Sequence, residues 1–118
     1  QMNRSITWHA KYMTKTKGAD MATNAYGVVH FFEGGTQDQY EASIAAVHPG
    51  PGVLPTGQVF HAAGPSEGGW TILAVHESKA SWEHFRDGTL VPRMQQGIDG
   101  GFTSAPQETA IDLYAMTP

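Results

Sequence analysis

Three histidines sit inside strand-like runs of this chain: His30 in Tyr26–Phe32 (YGVVHFF), His61 in Gln58–Gly64 (QVFHAAG) and His76 in Trp70–Glu77 (WTILAVHE). Imidazole changes charge near neutral pH, so a histidine facing a substrate can both remove and return a proton. Three on one surface could supply a base and an acid around one bound molecule. The last strand-like run, Thr109–Ala115 (TAIDLYA), adds Asp112 and Tyr114. A carboxylate beside His30 would orient the ring and stabilise its charged form. A phenol could donate a hydrogen bond to a developing enolate or phenolate oxygen. Each group also has a plainer role. A single strand histidine is usually a satisfied structural residue, Asp112 could cap an interface hydrogen bond, and Tyr114 near a strand end suits an interface. The catalytic reading therefore depends on the histidines sharing a face.

Other chemistries find little support. Gly34-Gly35 and Gly68-Gly69 lack the G-x-G-x-x-G context and a following phosphate-binding helix, so they read as turns. There is no G-x-S-x-G elbow, and no serine is expected beside a histidine as a nucleophile. Three imidazoles and a carboxylate could bind a transition metal or haem, but no two strand histidines are close in sequence, so no metal motif supports that reading.

The elements that must position these residues follow from pattern. Glu33-Gly34-Gly35 ends the first strand. Thr36 is an N-cap with Asp38 in the first turn of a helix running to about His48, and Tyr40, Ile44 and Val47 form its buried stripe. Pro49-Gly50-Pro51-Gly52 stops it, with His48 complementing the helix dipole. The central hairpin spans Gln58–Glu77. Ser78 or Ser81 opens a second helix whose inward pair is Trp82 and Phe85, with Gly88 breaking it and Leu90–Gln96 resuming for a turn or two. The order β-α-β-β-α-β predicts an α+β, ferredoxin-like unit with a four-stranded antiparallel sheet in order 4-1-3-2 and both helices on one face.

Alternation along each strand separates two sets of side chains. One is apolar throughout: Val29, Phe31, Phe60, Ala62, Leu73, Val75, Ile111 and Leu113. It is the expected helix-covered face. The other carries His30, His61, His76, Asp112 and Tyr114, with Val28, Phe32, Val59, Trp70 and Ile72 as apolar walls. A hairpin register pairing odd with even positions keeps His61 and His76 together, and a slip of one residue would separate them. This half-apolar second face is too greasy to stand open on a monomer, so a homodimer with two sheets facing each other across a cavity is expected. Trp70 and Phe32 would sandwich a flat, apolar small-molecule substrate.

With its β-α-β-β-α-β order, the Trp70-bearing third strand and the acidic helix SWEHFRD, the stretch from about Asn24 to Met116 resembles the dimeric α+β barrel superfamily, and within it the antibiotic-biosynthesis-monooxygenase-like branch. The resemblance implies a pocket closed by the dimer mate and a choice of reactions. The polyketide-cyclase relatives, with His and Tyr in the cleft, imply cofactor-independent acid–base chemistry of the isomerase or cyclase type on an enolisable or aromatic substrate. The monooxygenase relatives imply cofactor-free oxygenation with a cleft tryptophan, which Trp70 could match. They also tend to use a cleft asparagine, and this chain has only Asn3 and Asn24, neither inside a strand of the domain. A non-enzymatic dimer binding a metal, haem or small ligand is the third reading.

Bulk composition agrees with one globular domain. The 118 residues are 40% hydrophobic and 15% charged. Residues 1–24 read as a polar, basic arm or extension and 25–118 as the domain. Ile6, Trp8, Ala10 and Tyr12 alternate with polar residues, as in a half-buried strand packing on an edge or a partner subunit. From Met21 onward there are 3 basic and 10 acidic residues, a net −7, so a phosphate-tracking nucleic-acid groove is not expected. No apolar run approaches the roughly 20 residues of a membrane span, no secretory signal is visible, and with no cysteine there are no disulfides or thiolate sites. A cytoplasmic location fits these features.

Overall fold

The structure, a computed structural model, describes residues 23–118. The strand expected from Ile6 to Tyr12 lies outside the described residues. β1 (Tyr26–Glu33), α1 (Gln37–Val47), β2 (Gln58–Ser66), β3 (Gly69–His76), α2 (Lys79–Phe85), α3 (Val91–Gln96) and β4 (Gln107–Asp112) follow in that order. The fold is α+β, with one antiparallel sheet in order β2-β3-β1-β4, which is the expected 4-1-3-2 read from the other edge.

Local sequence explains the element ends. Thr36 caps α1 in a capping box: its hydroxyl accepts from the Gln39 backbone N–H, and the Gln39 side chain accepts from the Thr36 N–H. Ser78 caps α2 with a single bond, its hydroxyl accepting from the Ser81 N–H. At Gly69 a Cβ would overlap the Phe32 carbonyl oxygen, so β1 and β3 can approach there only over glycine.

Gly88 does not break the second helix. A π-helical turn, Arg86–Leu90, carries the chain directly from α2 into α3. Val91 N–H bonds the Arg86 carbonyl, five residues back. Pro92 in the next turn has no N–H to give, and the wider turn absorbs that loss in the helical ladder.

The largest departure from expectation is which sheet face the helices cover. Val28 packs with Val47, Trp82 and Phe85, while Phe32, Trp70 and Ile72 form a second cluster with Tyr40, Met94 and Phe102 against it. These strand residues belong to the histidine-bearing set. The wholly apolar set faces outward instead, with Phe60 48%, Leu73 38% and Ile111 39% exposed. The buried stripes of both helices were as expected, and so were the sets of alternating residues, except at the start of β2 where Val59 leaves its set. Their assignment to faces was inverted.

The candidate functional site

Register keeps the three histidines together. His30 pairs with Ile72 and His61 with Ala74, and Ile72, Ala74 and His76 alternate on one side of β3. That side lies beneath the helices rather than opposite a second sheet. Burying imidazoles is tolerable when every polar atom finds a partner, and a continuous hydrogen-bond chain provides this. Tyr40 Oη lies 2.7 Å from His61 Nε2, His61 Nδ1 2.9 Å from Gln58 Oε1, Gln58 Nε2 3.3 Å from His76 Nε2, and His76 Nδ1 3.3 Å from Ser81 Oγ. With the Gln58 amide so oriented, donors run in one direction. Tyr40 donates to His61, His61 to Gln58, Gln58 to His76 and His76 to Ser81. Both imidazoles are then neutral, each with one protonated nitrogen. Burial pushes the His61 and His76 imidazoles down from their ordinary range and, with Glu41 nearby, the Tyr40 phenol up, so all three groups stay uncharged.

Gln58 reaches this chain because β2 is irregular. The ladder passes from Gln58↔His76 to Phe60↔Val75, leaving Val59 as the extra residue. The bulge turns Gln58 toward the histidines and leaves Val59 50% exposed, so Val59 is not a pocket wall. His48 does more than face a helix dipole. Its ring stands edge-on to His61 with centroids 4.9 Å apart, and burial followed by that second imidazole lowers it to about 4.

His30 has a different setting. Its Nε2 is 2.8 Å from Glu108 Oε1, and Nδ1 has no hydrogen-bond partner among the described residues. The acid beside His30 is therefore Glu108, its cross-strand neighbour, not Asp112, which pairs with Tyr26 two same-face positions along β4. Asp112 is exposed, and Tyr114 lies beyond the end of β4 and is 64% exposed. Neither lines any of the three cavities described below.

Between sheet and helices lies a cavity of about 540 Å³, with His30, Phe32, Ile72, Ile44, Met94 and Phe102 among its walls. Phe32 and Phe102 stack at 3.7 Å between centroids. A second cavity of about 410 Å³ adjoins it on the Glu108 side of His30, and a small chamber of about 50 Å³ reaches inward past Val28 to His48, Gln58 and His61. His30 lines all three. His61 touches only the small chamber, while His76, which is fully buried, and Trp70, which supports Phe32 and Ile72 from within the core, line none.

The three-histidine cleft thus resolves into one cavity histidine with a carboxylate partner and a separate buried polar chain. Ser81 does stand beside a histidine, but it lines none of these cavities and is positioned as the terminal acceptor of that chain. Glu108, Tyr40, Gln58 and Phe102 were missed in the sequence. Tyr40 alone carried a signal, since a phenol on a buried helical stripe needs a polar partner. Among the described residues no group of three or more His, Cys, Asp or Glu could hold a metal ion, and no helix is long and apolar enough to cross a membrane. No family model matches the chain, and no curated protein or solved structure matches it.

Proposed function

We propose that the chain is a small-molecule enzyme in which His30, oriented by Glu108, moves a proton on an enolisable or aromatic substrate held in the 540 Å³ cavity, without a cofactor. The observation that carries this reading is the asymmetry of the His30 ring. One nitrogen is fixed by a carboxylate at 2.8 Å, while the other has no hydrogen-bond partner among the described residues, on a ring that lines a mainly apolar cavity. A carboxylate on one nitrogen fixes the tautomer and stabilises the imidazolium that forms when the other takes a proton. His61 and His76 have both nitrogens engaged and act as the floor that holds Tyr40 and the helices in place.

The test is deuterium incorporation from heavy water into a panel of 1,3-diketones and naphthols, read by NMR. His30→Ala should lower the exchange rate by at least about 100-fold, as expected for a lost general acid–base group, and Glu108→Gln should lower it less. Background exchange across the whole panel, or full exchange in both variants, would overturn the acid–base reading.

Cofactor-free oxygenation is the second reading. It draws on Trp82, which is 5.7 Å from His30 between ring centroids and lines the 410 Å³ cavity, in place of the cleft tryptophan expected at position 70. Oxygen uptake with polyphenols separates the two.

We also infer that the unit is ferredoxin-like and pairs as a dimeric α+β barrel. Support comes from the outward apolar face, where Phe60, Leu73 and Ile111 stand exposed on three strands of one sheet. The two sheets would meet through this face, leaving each cavity within its own subunit.

A further inference from the structure

The α1 wall of the 540 Å³ cavity carries two polar side chains, Gln39 and Ser43. They are one helical turn apart, so they leave α1 on one face with Cβ atoms about 6 Å apart. Each is engaged through its oxygen. Gln39 Oε1 accepts from the Thr36 N–H at 3.1 Å, and the NH₂ end of the amide has no hydrogen-bond partner among the described residues. A backbone N–H can be met only by the oxygen end of an amide, so the capping box itself sets which way Gln39 points. Ser43 Oγ accepts from the Phe102 N–H at 3.2 Å, and its own proton likewise has no partner among the described residues. Two neighbouring groups with their acceptors occupied and their donors unused call for an acceptor in the ligand.

Printed contacts lead from this pair back to His30. Phe102, whose N–H is held by Ser43, stacks on Phe32 at 3.7 Å, and the Phe32 ring lies 6.3 Å from the His30 ring between centroids. All five residues line the same cavity, the donors from the helix side and His30 from the sheet side. Asp99 also lines it, but this carboxylate is exposed on the following loop, where water screens its charge.

We propose that Gln39 Nε2 and Ser43 Oγ hold the carbonyl oxygen of a ketone while His30 acts on the adjacent carbon. This rests on the reading of His30 as the proton-transfer group, and it adds the groups that bind the oxygen. In the step, the C–H bond breaks and its proton goes to His30 Nδ1. The released pair forms the new C–C double bond, and the carbonyl π pair moves onto oxygen. The two donors then bind an enolate oxygen, to which hydrogen bonds are stronger than to the ketone. Return of the proton from His30 to a different carbon completes an isomerisation.

NMR titration with 2-tetralone and with tetralin, the same ring system without the carbonyl, tests the assignment. Gln39→Glu keeps an acceptor for the Thr36 N–H, as in the common capping box, and removes the donor. It should weaken 2-tetralone about fivefold, the worth of one neutral hydrogen bond, and leave tetralin unchanged. Ser43→Ala adds no charge and should lower the ketone-to-hydrocarbon affinity ratio by about the same factor. Any loosening of the Phe102 loop in that variant acts on both ligands, so the ratio isolates the hydroxyl. A ratio unchanged in either variant, or no binding of 2-tetralone to the wild type, overturns the proposal. His30→Ala should keep the ratio while losing deuterium exchange, so failure of the proton-transfer reading shows in the exchange and failure of the carbonyl assignment shows in the ratio.

Discussion

Acidification should loosen this protein before its carboxylates are protonated, because the imidazoles under the helices are held neutral. His48 is lowered to about 4, by burial first and by the neighbouring His61 second, and burial lowers His61 and His76 as well. A histidine in the unfolded chain titrates near 6.5. As the pH falls, the unfolded chain takes up protons first, so the stability these groups contribute is intact above about pH 6.5 and is lost as the pH drops toward about 4. For one group shifted from about 6.5 to about 4, linkage gives a loss of about 1.4 kcal/mol at roughly pH 5.5 and about 2.6 kcal/mol at roughly pH 4.5. His48 keeps partial contact with solvent, and screening there halves these to about 0.7 and about 1.3 kcal/mol. His61 and His76 add in the same direction, since a proton on His61 Nε2 removes the acceptor that Tyr40 uses.

Urea unfolding followed by tryptophan fluorescence measures the effect at roughly pH 7, 5.5 and 4.5, in the wild type and in His48→Gln, which cannot titrate. Between the extremes the wild type should lose about 1.3 kcal/mol more than the variant. Identical pH dependence in the two proteins, or an NMR titration of His48 centred near 6.5, would refute the reasoning.

Gln58→Leu removes both the acceptor for His61 Nδ1–H and the donor to His76 Nε2, so chemical denaturation should show a loss of about 2–4 kcal/mol. A loss under about 0.5 kcal/mol would mean that the chain does not depend on the amide. Leu73→Arg places a charge at the centre of the outward apolar face and should convert a dimer to a monomer by light scattering while leaving the cavity's ligand affinity unchanged. A wild-type monomer at roughly 100 µM, where a standard-size interface would hold, would remove the basis for that pairing.

The strand order, the Thr36 cap, Ser78 as one of two candidates for the second cap, and the alternation of the strands outside the bulged start of β2 were legible in the sequence, because alternation and capping are local rules. The choice of face was not. Helix coverage was expected where every side chain is apolar, on the premise that buried polar groups are costly. That premise holds only for unpaired groups. Here the ring nitrogens of His61 and His76 find partners across elements distant in sequence, through Tyr40 from α1, Gln58 from the bulged end of β2 and Ser81 from α2, while Trp70 Nε1 on the same face stays unpaired among the described residues. No single strand reveals that arrangement. The phase of Gln58 itself depends on the bulge at Val59, and an alternating pattern cannot show a bulge before the pairing is known.

The same cause explains why the sequence pattern points to Asp112 as the acid beside His30 whereas the structure has Glu108 there. The neighbourhood of β1 and β4 follows from topology, but their register depends on where β4 begins, and it begins at Gln107, two residues before the expected Thr109. That earlier start brings Glu108 into the strand and opposite His30. The larger consequence is chemical. On an open face the three histidines would have been equivalent, whereas beneath the helices two are locked as neutral donor–acceptor links and the third, His30, has one nitrogen with no hydrogen-bond partner among the described residues. Differences in hydrogen bonding, set by long-range pairing, therefore distinguish His61 and His76 from His30, and the role proposed for His30 rests on that difference.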